Sequence, residues 1–233
     1  MTEKIFLQDA YAKECNAKIV SCEGNGVVLD KTVFYATGGG QPCDFGVLEG
    51  NGKSSKVVDV KKNSGEIVHV LENNCFAAGE EVSCKIDWER RYALMRMHTA
   101  MHVLGATFHG KNWLFTGNQI GEKESRVDFS MEVFDRNVFD ELVKTANEKL
   151  ASNAAVKSFE LPREEALAIP GAVKLAAALP PDIPILRMVE IVGIDLQADG
   201  GTHVKNTKEV GKIILCKLDN KGSRNKRMYY ELV

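Results

Sequence analysis

The sequence lacks the features of membrane-spanning, secreted and disulfide-rich proteins. No apolar run approaches the roughly 20 residues that a membrane-spanning helix needs. The N-terminal residues show neither a basic stretch followed by an apolar core nor a cleavage site. The six cysteines are dispersed without a C-x-x-C pair, which predicts free thiols in a reducing compartment. We therefore expect a cytoplasmic protein that has no membrane partner.

The sequence also has no large excess of charge of either sign. Its formal net charge is −2, and hydrophobic residues make up 44% and charged residues 27% of the 233 positions. This balance is typical of globular proteins and excludes disordered, collagen-like and coiled-coil chains. The length allows one large domain or two small ones.

Short segments rich in valine and isoleucine alternate with Gly-Asn turns in the first part of the chain. The predicted strands cover residues 18–22, 26–29, 57–61, 66–71 and 81–86. Several short strands at this spacing predict a small barrel or sandwich.

From Glu89 onward the pattern changes to one that mixes helices and strands. Apolar residues recur every three or four positions from Leu94 to Phe108, which predicts a helix. A second helix is predicted after Asp135, whose carboxylate can cap it, and strands at 126–131, 156–161, 185–192, 212–218 and 228–232. The expected fold is α+β. A β-barrel-like domain with a glycine-rich loop covers residues 1–88, and an α+β domain with a helix-borne His-x-x-x-His motif covers residues 89–233.

Two segments carry residues that can bind a metal ion. His98 and His102 are one helical turn apart, so both imidazoles lie on one face and can chelate one ion. Asp199 and His203 end a short loop whose other residues are Gly200, Gly201 and Thr202. Three imidazoles and one carboxylate form a sensible zinc site, which predicts one Zn²⁺ per chain. Hydrogen-bonded structural histidines and an ordinary glycine-rich turn are the alternatives.

A third segment contains three consecutive glycines, Gly38, Gly39 and Gly40, before Gln41. Such a run cannot lie inside a strand, and its exposed N–H groups can contact a phosphate, a ribose or another domain. The segment does not match a P-loop, because no Gly-Lys-Ser/Thr follows it. ATP is therefore not an expected partner, and a flexible linker turn is the alternative.

Positive charge is concentrated after the candidate metal loop. Between positions 205 and 227 there are eight basic residues and two acidic ones, which favours contact with a polyanion. The candidate contacts are Lys205, Lys208, Lys212, Arg224, Lys226 and Arg227. Arg90, Arg91 and Arg96 add positive charge near His98. A solvated strand face with alternating lysines is the alternative.

Several of these motifs occur in one characteristic order. They include F-Y-x-x-G-G-G-Q-P at 34–42, D-W-E-R-R at 87–91, R-V-D-F at 126–129 and G-G-T-H-V at 200–204, followed by N-T-x-E-x-G at 206–211. From about residue 30 to 215 the chain resembles the editing domain of alanyl-tRNA synthetase and the segment that precedes it. Because the synthetase's ATP-binding core is absent, the chain is similar to the freestanding AlaX editing proteins, in their longer form.

The resemblance implies hydrolysis in trans of mischarged tRNA(Ala), chiefly Ser-tRNA(Ala), with Gly-tRNA(Ala) as a second candidate substrate. It maps the zinc ligands onto His98, His102 and His203, and onto Asp199, where the family usually has a cysteine. It assigns catalysis to the three histidines and to Gln119. Substrate contacts fall on the two glycine-containing loops, and contacts to the tRNA acceptor end fall on the basic residues.

Two other functions remain open from the sequence. One is a generic zinc-dependent hydrolase of an ester or amide, which would not need tRNA. The other is a tRNA-binding module without catalysis, an alternative that the aspartate at the usual cysteine position keeps open. The oligomeric state is not indicated by the sequence.

Overall fold

The computed structural model describes residues 2–63, 65–111, 113–132, 134–172 and 183–233. The chain divides into two compact units, Met1–Ala93 and Leu94–Val233. The division falls inside a long helix rather than at its start, so the domains over residues 1–88 and 89–233 stay a prediction. Among the described helices, none has both the length and the apolar character that crossing a bilayer requires.

The first unit consists mainly of short strands. Its elements are β1 (Glu3–Lys4), α1 (Ile5–Gln8), β2 (Glu14–Glu23), β3 (Gly26–Leu29), β4 (Lys31–Thr32), β5 (Gly46–Gly50), β6 (Lys53–Asn63), β7 (Glu66–Leu71) and β8 (Glu81–Ile86). Six of the strands close into a barrel in the order β2-β3-β7-β6-β5-β8, and every neighbouring pair is antiparallel. The predicted barrel is confirmed.

Alternation along the strands explains why the barrel has a single packed core. In β7 every second residue is buried, so Ile67, His69 and Leu71 point inward, as the two-residue period of a strand requires. His69 is thus a polar residue at a core position. Its Nδ1 lies 3.1 Å from the carbonyl oxygen of Val27 and its Nε2 lies 2.8 Å from the hydroxyl of Thr32. Since a carbonyl only accepts, Nδ1 donates and Nε2 accepts from Thr32.

The buried His69 makes the stability of the protein depend on pH. Burial lowers its pKa from 6.5 to about 4, so the unfolded chain binds the proton more readily. The stabilisation is complete above the unfolded pKa and is lost as the pH falls from 6.5 towards 4. Between about pH 7.5 and about pH 5 we expect the free energy of unfolding to fall by about 2 kcal/mol because of His69.

The measurement is a urea titration at both pH values, monitored by the fluorescence of Trp88. It compares the Trp113→Phe protein, which keeps His69, with the same protein carrying His69→Gln. The variant will be less stable at neutral pH, but the other titrating groups are common to both proteins. A smaller pH effect in His69→Gln supports the expectation. Equal pH effects would show that His69 does not control the acid sensitivity.

The glycine-rich loop of the first unit forms a tight turn that only glycine suits. Gly39 and Gly40 have φ values of 60° and 87°, and Gly38 and Gln41 exchange backbone hydrogen bonds of 3.1 and 3.0 Å. The turn leads to Asp44, which is fully buried and paired with the equally buried guanidinium of Arg91. A buried ion pair therefore joins the D-W-E-R-R segment to the residues that directly follow the F-Y-x-x-G-G-G-Q-P segment.

The described residues of the second unit form α-helices and two sheets. The following elements are α2 (Trp88–His109), which begins in the first unit, then β9 (Leu114–Gln119), β10 (Glu124–Ser130), α3 (Arg136–Leu150), β11 (Val156–Pro162), α4 (Arg163–Ala168), β12 (Ile185–Ile191), β13 (Asp195–Ala198), β14 (Ile213–Asn220) and β15 (Asn225–Leu232). The sheets have the strand orders β14-β15-β10-β9 and β11-β12-β13. The predicted α+β class is confirmed, and the Asp135 side chain caps α3 by accepting from the N–H of Asn137.

Candidate metal site

Helix α2 carries the first two candidate ligands. His98 and His102 lie on successive turns with ring centroids 5.0 Å apart, as residues four apart on one helical face must. Both are almost completely buried, at 1% and 2% exposure. Gly105, one turn further along, does not open a pocket beside them, because the ring of Phe115 fills the space next to its Cα.

The loop after β13 brings the other two ligands to the same point. The carboxylate of Asp199 lies 3.5 Å from Nε2 of His98 and 3.1 Å from Nε2 of His203. The His203 ring centroid is 4.3 Å from that of His98 and 4.5 Å from that of His102. One ligand atom from each of the four residues lies within 4.8 Å of all the others. The four predicted ligands therefore form one group, and His109 at the exposed end of α2 is not part of it.

The outward-facing nitrogens of two imidazoles have partners of their own. Nδ1 of His203 lies 3.1 Å from the hydroxyl of Thr99, which also donates to the carbonyl oxygen of Met95 and accepts from the N–H of Val204. Nδ1 of His102 lies 3.1 Å from the carboxylate of Asp195. These contacts occupy the Nδ1 atoms, so the Nε2 atoms are the ones available to an ion.

The loop backbone is organised around the Asp199 carboxylate. The N–H of Gly201 donates to it over 2.6 Å. Nη1 of Arg187 donates to the carbonyl oxygens of Asp199 and Gly201 and lies 4.0 Å from the carboxylate. The N–H of Gly201 is therefore directed at the candidate ligand rather than at a substrate. Gly200 is exposed, with open space at its Cα, and Thr202 is buried.

The protonation states of the group suit a cation. Burial lowers the pKa of His203 to about 4 and that of His98 well below its usual value, so both rings are neutral at pH 7. Burial alone would raise the pKa of Asp199, but the facing imidazoles of His98 and His203 outweigh it and hold that pKa well below its usual value. Neutral nitrogens and an ionised carboxylate are the forms in which these side chains bind metals.

The donor set fits a divalent metal ion. If Nδ1 of His203 holds the ring proton, its Nε2 lone pair faces a carboxylate oxygen 3.1 Å away, and two acceptors at this distance need a cation or a proton between them. Three nitrogens and one carboxylate oxygen are a common tetrahedral set. The site is therefore a buried group that can bind a metal ion, and its chemistry does not by itself select zinc.

The remaining predicted substrate residues lie outside this group. Gln119 is exposed at the end of β9, and its side-chain oxygen accepts a hydrogen bond from Nε of Arg126 over 3.2 Å. Gly38, Gly39 and Gly40 belong to the turn in the first unit. Their roles in substrate binding stay predictions.

The six candidate polyanion contacts differ in their accessibility. Lys205, Lys208, Lys212 and Arg224 are exposed. Lys226 is only 1% exposed, and its ammonium donates to the carbonyl oxygens of Gly222 and Ser223. Arg227 donates two hydrogen bonds to Asp128, of 2.7 and 2.8 Å. These contacts argue against Lys226 and Arg227 as phosphate-binding residues.

The three arginines near His98 also have structural partners. Arg91 is buried against Asp44. Arg90 donates to the carbonyl oxygen of Cys43 and lies over the ring of Phe45, and Arg96 donates to the carbonyl oxygen of Val210. The sequence-based expectation that they add to a polyanion-binding surface is not supported, because sequence order does not show which cations have internal partners.

Four residues around the site were not identified from the sequence, namely Thr99, Arg187, Asp195 and Gln197. The sequence carries a signal for two of them. Asp195, Gln197 and Asp199 alternate in the sequence, which places their side chains on the same face of an extended segment. Thr99 and Arg187 have no comparable pattern, because their roles depend on contacts between distant segments.

Comparisons with known proteins relate the chain to tRNA synthetases and alanyl-tRNA editing proteins. Residues 2–90 match the family model for class II (A) tRNA synthetases, and residues 186–229 match that for the second additional domain of threonyl- and alanyl-tRNA synthetases. The chain is 47% identical to the alanyl-tRNA editing protein AlaX-M of Saccharolobus solfataricus, over 99% of this chain and 98% of that protein. It is 43% identical to AlaX-M of Methanosarcina barkeri over both full lengths. It is 39% identical to the alanine–tRNA ligase of Pyrobaculum aerophilum, over 94% of this chain but 25% of the ligase.

Proposed function

The chain belongs to the AlaX-M family of alanyl-tRNA editing proteins, and we propose that it deacylates mischarged tRNA(Ala), chiefly Ser-tRNA(Ala), with Gly-tRNA(Ala) as a second substrate. It is then an aminoacyl-tRNA deacylase, an ester hydrolase that acts on a tRNA charged by another enzyme. The observation that carries the proposal is the buried group of three imidazoles and one carboxylate, in a chain similar to these editing proteins over its whole length.

The metal in the proposal is one Zn²⁺ held by His98, His102, Asp199 and His203. A bound zinc ion would polarise the ester carbonyl or acidify a water molecule. The chain's own contribution is to hold the imidazoles of His98 and His203 neutral, to direct a ring nitrogen of each of the three histidines inward, and to keep Asp199 ionised. An aminoacyl ester is already activated, so a positioned water and stabilisation of the developing oxyanion are the main requirements.

Discrimination against the correctly charged tRNA(Ala) depends on one hydroxyl group. A site that hydrogen-bonds the serine hydroxyl rejects alanine far better than an apolar pocket rejects an additional group. Gln119, with an amide that can donate and accept, is the proposed polar contact to the aminoacyl group. Gly200, Gly201 and Thr202, together with the turn at Gly38, Gly39 and Gly40, are the proposed substrate-binding segments.

The proposed tRNA contacts are exposed lysines next to the metal loop. Lys205 follows His203 by two residues, and Lys208 lies in a short turn that Asn206 and Glu209 cap reciprocally. Because this capping fixes the turn, the two lysines project from a defined backbone. Lys212 and Arg224 are the other exposed residues among the six candidates. We propose that they contact phosphates of the acceptor end.

Neutralising Lys205 and Lys208 together is expected to weaken tRNA binding and to flatten its salt dependence. Two lost phosphate contacts should reduce the slope of log K against log salt concentration by about 1.4 to 1.8. The loss should be similar for every tRNA, because phosphate contacts position the nucleic acid without reading its sequence. The measurement is a salt titration of binding for the wild type and for Lys205→Gln/Lys208→Gln.

The matched control is Lys56→Gln/Lys61→Gln, which removes two exposed charges from β6. If both double variants lowered the slope equally, the effect would come from net charge and not from a contact beside the metal loop. Unchanged zinc content in both variants would show that the metal site is intact.

The test of the function is deacylation of Ser-tRNA(Ala), with Ala-tRNA(Ala) as the control substrate, before and after removal of metal by a chelator. Elemental analysis establishes the metal content first. Metal-dependent hydrolysis of Ser-tRNA(Ala), without hydrolysis of Ala-tRNA(Ala), supports the proposal. Equal hydrolysis of simple esters that lack tRNA would favour the generic hydrolase. Binding of tRNA without hydrolysis would favour the non-catalytic module.

A further inference from the structure

The strand that leads to the metal loop presents three polar side chains on one face. Asp195, Gln197 and Asp199 alternate along β13 and its extension, and the pairing with β12 continues beyond Ala198 because the N–H of Asp199 donates to the carbonyl oxygen of Arg187. In a strand, side chains two residues apart lie on the same face. The segment that supplies the candidate ligand Asp199 thus also directs Asp195 at helix α2.

Asp195 reaches the outer nitrogen of a candidate ligand. Its Oδ2 lies 3.1 Å from Nδ1 of His102, and both side chains are buried, at 0% and 2% exposure. The amide nitrogen of Gln197 donates to the same carboxylate oxygen over 3.1 Å. It also lies 2.7 Å from Nδ1 of His102, and because an amide nitrogen only donates, it competes with Asp195 for Nδ1: a hydrogen bond from the amide needs an unprotonated Nδ1, whereas the carboxylate needs Nδ1–H. The charge-assisted bond from Nδ1–H to the carboxylate is the stronger of the two. An ionised carboxylate only accepts hydrogen bonds, so it can accept from both neighbours at once.

We infer that Asp195 is a positioning residue for the metal: it holds the proton of His102 on Nδ1 and so keeps the Nε2 lone pair directed at the ion. A neutral imidazole has one N–H, and the partner of that N–H decides which nitrogen is free to bind a metal. The carboxylate also makes the ring a stronger donor and restrains its rotation. His203 has the neutral Thr99 hydroxyl in the equivalent place, so His102 receives an electrostatic support that His203 does not.

The inference rests on the proposed metal site, so the experiment first measures zinc binding by the wild-type protein in competition with a chromophoric chelator. Asp195→Asn keeps an acceptor but loses the charge, and we expect zinc affinity to fall about 10-fold. Asp195→Ala loses both, and we expect a loss of about 100-fold. The matched control is Asp140→Asn, an exposed aspartate on α3, which should leave the affinity unchanged.

The visible absorption of bound Co²⁺ gives a readout that a merely structural role would not change. We expect an altered spectrum in Asp195→Asn at full Co²⁺ occupancy, with circular dichroism and the unfolding midpoint close to wild type. Should Asp195→Ala fail to fold, the asparagine variant carries the test alone. Gln197→Met removes one donor to Asp195 and is expected to weaken zinc binding less than Asp195→Asn does.

The possible results separate the inference from the proposed function. Wild-type protein that binds no zinc would overturn the metal site and the inference with it. Tight wild-type binding with unchanged affinity and spectrum in Asp195→Asn would overturn only the inference. Tighter zinc binding in Gln197→Met would also overturn it, because the amide would then be donating to Nδ1 and opposing the metal-binding tautomer.

Discussion

Replacing His98 with alanine is expected to remove the bound metal and to reduce deacylation of Ser-tRNA(Ala) by more than about 100-fold. Loss of an outer partner of a metal ligand already costs 10- to 100-fold in affinity or activity, and loss of the ligand itself costs more. His98 lies against both Asp199 and His203, so its removal also leaves their buried polar atoms facing a cavity. The measurements are metal content by elemental analysis and single-turnover deacylation.

His109→Ala is the matched control, because His109 lies on the same helix but is exposed and outside the group. It should keep the metal and the activity of the wild type. Full deacylation by a folded His98→Ala protein that holds no metal would contradict the expectation. It would also direct attention to Gln119 and the glycine-containing loops as the source of catalysis.

The parts of the fold that the sequence predicts well are those set by local pattern. The strands Gly26–Leu29, Glu66–Leu71 and Glu81–Ile86 have the predicted bounds, since their valine and isoleucine residues are flanked by turn residues, and burial alternates along the last two. The cap at Asp135 is likewise a local feature. The four candidate ligands were identified by the same means, because each pair lies four residues apart in a helix or in a short loop.

The parts that the sequence did not predict depend on contacts between distant segments. Strand β9, with Gly117 and polar residues in its sequence, lacks the β-branched alternation of the others and is defined by its pairing with β10. In the sequence, nothing distinguishes Lys226 from the other lysines of the basic segment. In the structure, its ammonium donates to the carbonyl oxygen of Gly222 in the preceding turn. The Arg91–Asp44 pair joins residues 47 positions apart. Such partners follow from the tertiary structure and have no local signal.

Replacing Asp199 with cysteine is expected to tighten zinc binding while making the metal-free protein less stable. A thiolate is a stronger and softer donor to Zn²⁺ than a carboxylate, and roughly tenfold tighter binding corresponds to about 1.4 kcal/mol. In the metal-free state, however, a thiol with an ordinary pKa of about 8.5 is neutral at pH 7. The carboxylate that accepts from the N–H of Gly201 and faces Arg187 is then lost.

The two effects can be separated by measuring the unfolding temperature with and without zinc. Arg187 is largely buried, at 14% side-chain exposure, and removing the anion that faces a buried cation costs about 1 to 3 kcal/mol. Zinc restores an anion by deprotonating the thiol, so the stabilisation by zinc should be larger in Asp199→Cys than in the wild type. Asp199→Asn is the control, since it removes the charge without supplying a thiolate and should weaken zinc binding. Zinc affinity in Asp199→Cys that is unchanged or lower would mean that this side chain does not contact the metal, and the loop would then supply His203 alone.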